Sequence, residues 1–393
     1  MEENRLKKLY LRLMTVSVFR NVLEKPLLLS LAEYGRSNGT EEKLKAYSRM
    51  VAEIYESGSS LDTYVRRAVL EDENVYIKMR AKRIAVDERM ERAVANELDI
   101  FSDITALTSN DFISDIGVDF PLPEFNSRPI DLKGLYSARI ESIDKYGYGI
   151  FSSMPMFRLS DGMEIEPIVS ADRISMDKFI GYKTERQRII DNTEAFLQGR
   201  PAANALLCGD AGTGKSSTVK AIANEFFSKG IRLIELRKDQ LSYLPYVMGK
   251  ISDNPLKFII FIDDLSFNQK DDNFSMLKAA LEGSASAKAD NAVIYATSNR
   301  RHIIKESFQD REGSDIHRND TIQETLSLSE RFGLTVLFSK PDKKLYLEII
   351  HELADRNNIS CDREKLDIDA EAFALRRGYR SARCAEQFIN SLL

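Results

Sequence analysis

From the N-terminus to about residue 115, apolar residues recur at the spacing of helix faces. Leu61, Tyr64, Val65, Ala68 and Val69 fall at i, i+3, i+4, i+7 and i+8, which places them on one side of a helix. Leu44, Tyr47, Val51, Ile54 and Tyr55 do nearly the same after Thr40, a residue type that caps helix starts. The stretch from Val75, VYIKMRAKRIAVDERMERAVANEL, mixes both signs of charge into a helical pattern. It reads as a solvated helical face, with a partner-binding helix as the alternative. Residues 117–131 carry Pro121, Pro123 and Pro129, a density that breaks regular structure and predicts a linker. In 135–170 the runs YSARIES, YGYGIFSS and MEIEPIV, broken by glycines, predict two or three short strands. The expected layout is a helical region over 1–115, then a linker with a small β-rich segment over 116–176.

From 177 onward the pattern alternates between strand and helix. ALLCG (205–209), RLIEL (232–236), KFIIFIDDL (257–265), AVIYATSN (292–299) and LTVLFS (334–339) are short runs rich in Val, Ile, Leu and Phe. Four of the five lack polar alternation, as strands buried on both faces of a parallel sheet do. This predicts an α/β core of five strands over 177–340. Three helical segments after Pro341 predict a short helical lid over 341–393.

One segment carries recognisable chemistry. Gly209, Asp210, Ala211, Gly212, Thr213, Gly214, Lys215 and Ser216 match G-x-x-x-x-G-K-[ST], between a buried strand and a helix. Glycines let the backbone turn its N–H groups inward as an anion nest, and the following helix points its positive end at the same place. Lys215 is placed to reach the outer phosphates of a nucleoside triphosphate, and the Ser216 hydroxyl to join Mg²⁺; Ser217 follows on the same first turn. Asp263 and Asp264 end the run FIIFI, at the mouth of the sheet where open α/β folds bind ligands. Asp263 is the expected second Mg²⁺ ligand. Asp264 is the expected base for the attacking water, one methylene shorter than the Glu often found there.

Composition narrows the class. Lys and Arg number 56 against 61 Asp and Glu, for a net charge of −5, so a general cationic field for nucleic acid is excluded and only a local basic patch remains open. The three His and three Cys are scattered outside CxxC or HxxxH pairs, which argues against a zinc or iron–sulfur site and against a secreted disulfide scaffold. No apolar run approaches the ~18 residues of a spanning helix, and the N-terminus mixes charge into its apolar residues. A cytoplasmic protein without membrane contact is expected.

These residues resemble a known group. Gly209–Ser216 resembles the Walker A motif and FIIFIDD the Walker B motif, with one extra strand, RLIEL, between them. Thr297-Ser298-Asn299 looks like sensor 1 of the AAA+ superfamily. Ser329-Glu330-Arg331-Phe332-Gly333 looks like its arginine-finger box, and GYRSARCAEQF like sensor 2 on the third lid helix. Phe179-Ile180-Gly181-Tyr182 looks like the adenine-side box. NTEAFLQG, IDDLSF, LKAALEGS, IYATSNRRH and SLSERFGL together resemble one bacterial domain-of-unknown-function family of AAA+ proteins, over about 177–393.

The resemblance implies an AAA+ P-loop fold with sheet order 5-1-4-3-2. It implies that Asn299 polarises the attacking water or the γ-phosphate and that Arg331 reaches the ATP of a neighbouring subunit. Ile180, Gly181 and Tyr182 would border the adenine, and Arg383 or Arg380 would serve as sensor 2. The insert from Arg300 to Leu326 is either a partner-contacting element or a loop. Tyr243-Leu244-Pro245-Tyr246 is either a pore loop or the packing of a helix start.

The implied cofactors are ATP and Mg²⁺, and the implied partners are further copies of the chain and a protein or nucleic acid. Three functions compete: an oligomeric ATPase that remodels or loads a partner, a nucleotide-driven assembly switch recruiting through 1–176, and a small-molecule kinase. The sensor and finger motifs argue against the last.

Overall fold

The computed structural model describes residues 5–169, 174–265, 277, 281, 289–299, 331–359 and 361–393. The insert 300–326, Ser329, Glu330 and most of LKAALEGS lie outside the described residues. The chain divides into two compact units. The first takes Met1–Ser153 with Asp253–Pro255, and the second takes Met154–Ser252 with Leu256–Leu393. Among the described residues, no helix is long and apolar enough to cross a membrane.

The first unit is helical: α1 (Arg5–Leu13), α2 (Arg20–Leu23), α3 (Pro26–Arg36), α4 (Thr40–Glu56), α5 (Leu61–Leu70), α6 (Val75–Ala81), α7 (Glu88–Thr105), α8 (Ser109–Ile116), α9 (Leu132–Glu141) and α10 (Ile143–Tyr146). The expected α5 face is the buried one, with Leu61, Val65 and Val69 inside. On α4, Tyr47, Val51 and Ile54 are buried, but Tyr55 is exposed and its hydroxyl donates to the Glu124 carbonyl at 2.5 Å. The cap position of α4 falls on Gly39, so Thr40 is the first helical residue. The charged stretch from Val75 is two helices, α6 and α7, rather than one.

One buried carboxylate organises the start of this unit. Glu97, on α7 and 3% exposed, accepts from Ser17 N at 2.8 Å and from Ser17 Oγ at 2.7 Å. It also accepts from Val18 N at 3.0 Å and Phe19 N at 3.0 Å. These backbone N–H groups precede α2 and have no helical partner, so the carboxylate satisfies donors that burial would leave unpaired.

The proline-rich stretch is not a free linker. Ser109 Oγ accepts from Phe125 N at 2.7 Å, Thr105 Oγ1 accepts from Ile130 N at 3.0 Å, and Tyr47 donates to the Pro123 carbonyl at 2.6 Å. Proline removes the ladder partners of an extended chain, and hydroxyls from the helices take their place. YSARIES, expected as a strand, lies almost entirely in α9. Leu132 and Tyr136, one turn apart, are buried, and the Asp131 carboxylate caps the helix by accepting from Gly134 N. YGYGIFSS forms a short 3₁₀ turn over Gly149–Ser152.

The second unit is an α/β sheet with a helical lid. Its strands are β1 (Met156–Leu159), β2 (Ile165–Pro167), β3 (Ala205–Gly209), β4 (Ile231–Leu236), β5 (Lys257–Ile262), β6 (Ala292–Ser298) and β7 (Leu334–Phe338). They form one seven-stranded sheet in the order β2-β1-β4-β5-β6-β3-β7, parallel except for β2. The five-stranded expectation is therefore corrected to seven. Within the sheet β7-β3-β6-β5-β4 keep the relative order 5-1-4-3-2, and the β1–β2 hairpin extends it past β4. The β-rich segment is thus part of the sheet, and the division between units falls at Ser153 rather than 176. The continuous apolar runs occupy the interior: every residue of β3 is buried, as are all but the first of β5 and of β6.

Helices α11 (Lys183–Leu197), α12 (Lys215–Glu225) and α13 (Leu244–Ile251) connect the strands. The lid is α14 (Lys343–Arg356), α15 (Arg363–Arg377) and α16 (Ala382–Asn390), packed around Tyr346, Ile350, Ala370, Cys384 and Phe388.

Glu97→Gln tests the clamp on α2. The amide keeps the size of the side chain but replaces one acceptor oxygen with a donor facing backbone N–H groups. The expected loss is about 1–3 kcal/mol, read as a lower urea midpoint by circular dichroism. An unchanged midpoint would show that the clamp contributes nothing.

Candidate functional site

The site grows from the end of β3, where the backbone has room for glycine alone. Gly209 has φ of +134°, and a β-carbon there would stand 2.0 Å from the Phe338 carbonyl oxygen on β7. The next residue is fastened to the same strand end: Asp210 N donates to the Phe338 carbonyl at 3.2 Å, and Asp210 Oδ2 accepts from Lys340 N at 3.0 Å. Gly212 and Gly214 take φ of +74° and +86°, the left-handed region that β-carbons disfavour. Thr213, 1% exposed, donates to the Asp210 carbonyl at 2.9 Å and closes the turn. Gly214 caps α12, so the helix N-terminus faces the loop.

Lys215 opens α12 and is 5% exposed. Its ammonium donates to the carbonyls of Gly209 at 3.0 Å and Asp210 at 2.7 Å, and to Asn299 Oδ1 at 3.0 Å. Among the described residues no carboxylate forms an ion pair with it. Burial pulls its pKa below the ordinary lysine value, and the nearby Asp210 opposes that shift. Among the described residues its hydrogen-bond partners are neutral oxygens, which lower the cost of burying the ammonium without cancelling its charge.

The second arm comes from β5 and β6. Asp263 Oδ1 accepts from Ser216 Oγ at 2.6 Å, from Thr297 Oγ1 at 2.5 Å and from Asp264 N at 3.1 Å. Asp264 sits at φ +52°, a conformation that Asp tolerates better than most residues. Its N–H also donates to Thr297 Oγ1 at 2.9 Å, and its carboxylate accepts from Asn299 Nδ2 at 2.7 Å. The Asn299 amide therefore bridges Lys215 and Asp264. Ser216 and Asp263 present hard oxygen donors side by side, a donor set suited to Mg²⁺ together with phosphate oxygens. Among the described residues, no group of three or more His, Cys, Asp and Glu side chains forms a metal cluster.

Next to the loop lies a cavity of about 180 Å³. Gly212, Thr213, Gly214 and Ser217 line it from the loop, Phe179 and Ile180 from the approach to α11, Arg186 from α11 itself, and Ile349, Leu353, Arg383 and Glu386 from the lid. Of the expected adenine-side box, Phe179 and Ile180 reach the cavity. Gly181 supplies the turn, with φ of +69° and a β-carbon that would stand 2.7 Å from Leu345 Cδ1. Tyr182 does not line the cavity. It packs on Phe338 at 5.4 Å between ring centroids and donates to the Ser339 carbonyl at 2.6 Å, and burial pushes its hydroxyl pKa up to about 12.

The two sensor-2 candidates separate. Arg383 lines the cavity, and its N–H donates to the Gly212 carbonyl at 3.4 Å. Arg380 is turned into the lid, where it bonds both oxygens of Glu371 at 2.9 and 2.6 Å. Arg331 is half-buried and stands three residues before β7. Since Ala205 pairs with Leu334 and Gly209 with Phe338, Arg331 lies at the end of the sheet opposite its own phosphate loop. Tyr243 and Tyr246 are each 38% exposed, while Leu244 between them is buried.

Within Thr297-Ser298-Asn299 the resemblance assigned a role to Asn299 and none to Thr297, the hydroxyl that fixes Asp263. Its signal was a polar residue one before the strand's end. It also passed over Ile349 and Leu353, one turn apart on α14, and Arg186, hidden in the charged run KTERQR.

A family model described as "Protein of unknown function (DUF815)" matches residues 152–393. No curated protein matches the chain. Among solved structures, a mutant RuvB of Thermotoga maritima is similar at 17% identity, covering 55% of this chain and 63% of that one with a TM-score of 0.36. The Thermotoga maritima RuvB Holliday junction branch migration motor is similar at 13% identity, covering 56% and 72% with a TM-score of 0.33. The chain thus spans under two thirds of the first of these structures.

The environment of Lys215 sets a pH dependence. Its pKa in the free protein lies below the unfolded value, so the unfolded chain binds more protons between the two and stability rises with pH there. A bound anion favours the ammonium, so triphosphate affinity is flat below the free-protein pKa and falls above it, with proton uptake on binding. Calorimetry in buffers of different ionisation heat reads that uptake. Lys215→Ala is expected to abolish tight binding, and undiminished ATP affinity in a fluorescent-nucleotide titration would remove the phosphate-site assignment.

Proposed function

The chain belongs to the DUF815 family of proteins of unknown function, and on that premise we propose that it is an oligomeric AAA+ ATPase that binds and hydrolyses ATP to remodel or load a protein or nucleic-acid partner. The observation that carries this reading is the contact of Ser216 Oγ with Asp263 Oδ1 at 2.6 Å beside the buried ammonium of Lys215. Two strand ends far apart in sequence bring together a cation and two hard oxygen ligands at a nest of backbone N–H groups.

In this reading the loop N–H groups from Gly212 to Ser216 hold the β- and γ-phosphates, and Lys215 turns from its carbonyl partners to the phosphate oxygens. Ser216 and Asp263 would hold Mg²⁺, which would supply positive charge against the phosphates. Asp264 orients the attacking water and takes its proton. Asn299 leaves Lys215 and Asp264 to polarise the γ-phosphate. Arg383 brings the lid onto the nucleotide. Arg331, at the far end of the sheet from its own loop, serves the ATP of a neighbouring subunit, neutralising charge that develops on the γ-phosphate.

A second reading has one observation in its favour. Asp264 is short for a base and is engaged by Asn299 at 2.7 Å. A site held this way turns over slowly and suits an assembly switch that recruits its partner through residues 1–176, with hydrolysis only resetting it.

Two experiments test these readings. Asp264→Asn is expected to keep ATP affinity and stop turnover, and turnover at the parental rate would show that another acid is the base. Arg331→Ala is expected to keep affinity within a few-fold and to lose activity on the order of 10³-fold. Mixing it with Lys215→Ala restores activity if the finger acts in trans, because an intact Arg331 then meets an intact site. Co-assembly by light scattering without recovery at any mixing ratio would remove the trans finger and favour the switch.

A further inference from the structure

Asp210 faces two ways. Its backbone carbonyl accepts from Lys215 Nζ at 2.7 Å and from Thr213 Oγ1 at 2.9 Å, inside the phosphate loop. Its N–H and its carboxylate reach the chain that leaves β7. Asp210 N donates to the Phe338 carbonyl at 3.2 Å, and Oδ2 accepts from Lys340 N at 3.0 Å. Lys340 Nζ stands 4.0 Å from Oδ1, but that lysine is 51% exposed, so the ion pair adds little to the backbone bond. Lys340 lies beyond the last residue of β7 and before the first of α14, where its N–H has neither a ladder partner nor a helical one. The Asp210 carboxylate, 15% exposed, supplies the acceptor.

Between Lys340 and the first residue of α14 stand Pro341 and Asp342. Proline fixes its own φ and confines the residue before it to extended backbone, so this connection is stiff. Pro341 is buried, and Asp342 caps α14 by accepting from Leu345 N at 2.8 Å. One residue upstream of Lys340, the Ser339 carbonyl is held by the Tyr182 hydroxyl at 2.6 Å. The loop end is equally tight, because Gly209 has no room for a β-carbon against the Phe338 carbonyl. A displacement of the Asp210 peptide therefore meets little slack before it reaches α14. That helix carries Ile349 and Leu353 to the cavity.

We propose that Asp210 is a positioning residue that couples occupation of the phosphate loop to the start of the lid, through the Lys340 N–H and with no contact to a base. The inference rests on the reading of the loop as a triphosphate site and adds a route by which the lid senses the phosphates. In the free protein Lys215 holds the Asp210 carbonyl. When phosphate oxygens take the ammonium and the loop N–H groups, that carbonyl is released and the anion holds the loop instead. An acceptor fixed in this way holds the Lys340 N–H, and with it the first turn of α14. The other route into the lid is Arg383 on α16, whose N–H donates to the Gly212 carbonyl at 3.4 Å. The two routes enter different helices, so they are separable.

Inorganic tripolyphosphate is the probe, because it offers phosphates and no base. Amide hydrogen exchange of the full-length protein at saturating tripolyphosphate is the readout. The Lys340, Leu345 and Tyr346 amides report the lid start, and the amides from Gly212 to Ser216 report the loop. In the parent both sets should slow, the lid set by about tenfold, toward the low end of couplings between sites. Asp210→Ala should keep the slowing in the loop and lose it at Leu345 and Tyr346. Asp210→Asn retains an acceptor oxygen of the same reach and should restore it, which a general loosening of the loop would not do. Lys340→Pro removes the donor while leaving the loop sequence intact, and should lose the lid response as Asp210→Ala does. A lid response in Asp210→Ala equal to the parent's assigns the signal to Arg383 and overturns the coupling. So does a parent whose loop amides slow while Leu345 and Tyr346 do not. A parent whose loop amides do not respond at all refutes the phosphate site itself, and the coupling with it.

Discussion

A buried ammonium that has no carboxylate partner among the described residues is the constraint around which the site is arranged. Lys215 is kept in place by two carbonyls and one amide oxygen, and each of these belongs to a different structural commitment. The Gly209 carbonyl comes from the last residue of β3, the Asp210 carbonyl from a residue fastened to the end of β7, and Asn299 from the end of β6. Neutral oxygens lower the cost of burial without cancelling the charge, so the cation stays available. A carboxylate at ion-pairing distance would have satisfied the lysine and closed the site to anions.

The acid side is built with the same economy of partners. Asp263 gathers donors from α12, β6 and its own chain neighbour on one oxygen. Three elements are thereby registered against each other through a single atom. Thr297 matters here because it both donates to Asp263 and accepts from Asp264 N, so the strained conformation of Asp264 is supported from the adjacent strand. The lid closes the other side, with the Gly212 carbonyl accepting from Arg383 N and the Ser381 hydroxyl close behind.

Much of this was legible in the sequence, for identifiable reasons. Strands buried on both faces write themselves as unbroken apolar runs, so β3, β5 and β6 stood out. The phosphate loop stood out because its glycines and lysine are demanded by backbone conformation and charge. The β1–β2 hairpin did not, because an edge strand of three or four residues carries too short a pattern, and α9 was taken for a strand from its aromatic and isoleucine alone. The proline-rich stretch looked like a linker because the hydroxyls that hold it are contributed by residues well before it. Choosing between Arg380 and Arg383 needed the position of Glu371, nine residues earlier on another helix. Tyr182 sat inside a resembling box, yet its side chain serves the core and not the cavity.

The approach of Gly209 to Phe338 has a consequence for inheritance. The atom that forbids a β-carbon at 209 is a backbone carbonyl oxygen, which every amino acid carries. No substitution at 338 can therefore compensate for one at 209. Among diverging descendants of this chain, residue 338 is limited only by what its core neighbours such as Tyr182 accept, while residue 209 is not free at all. The two positions would show no correlated change, although their backbones are in contact. A constraint set by backbone alone is thus one that pairwise covariation would never reveal.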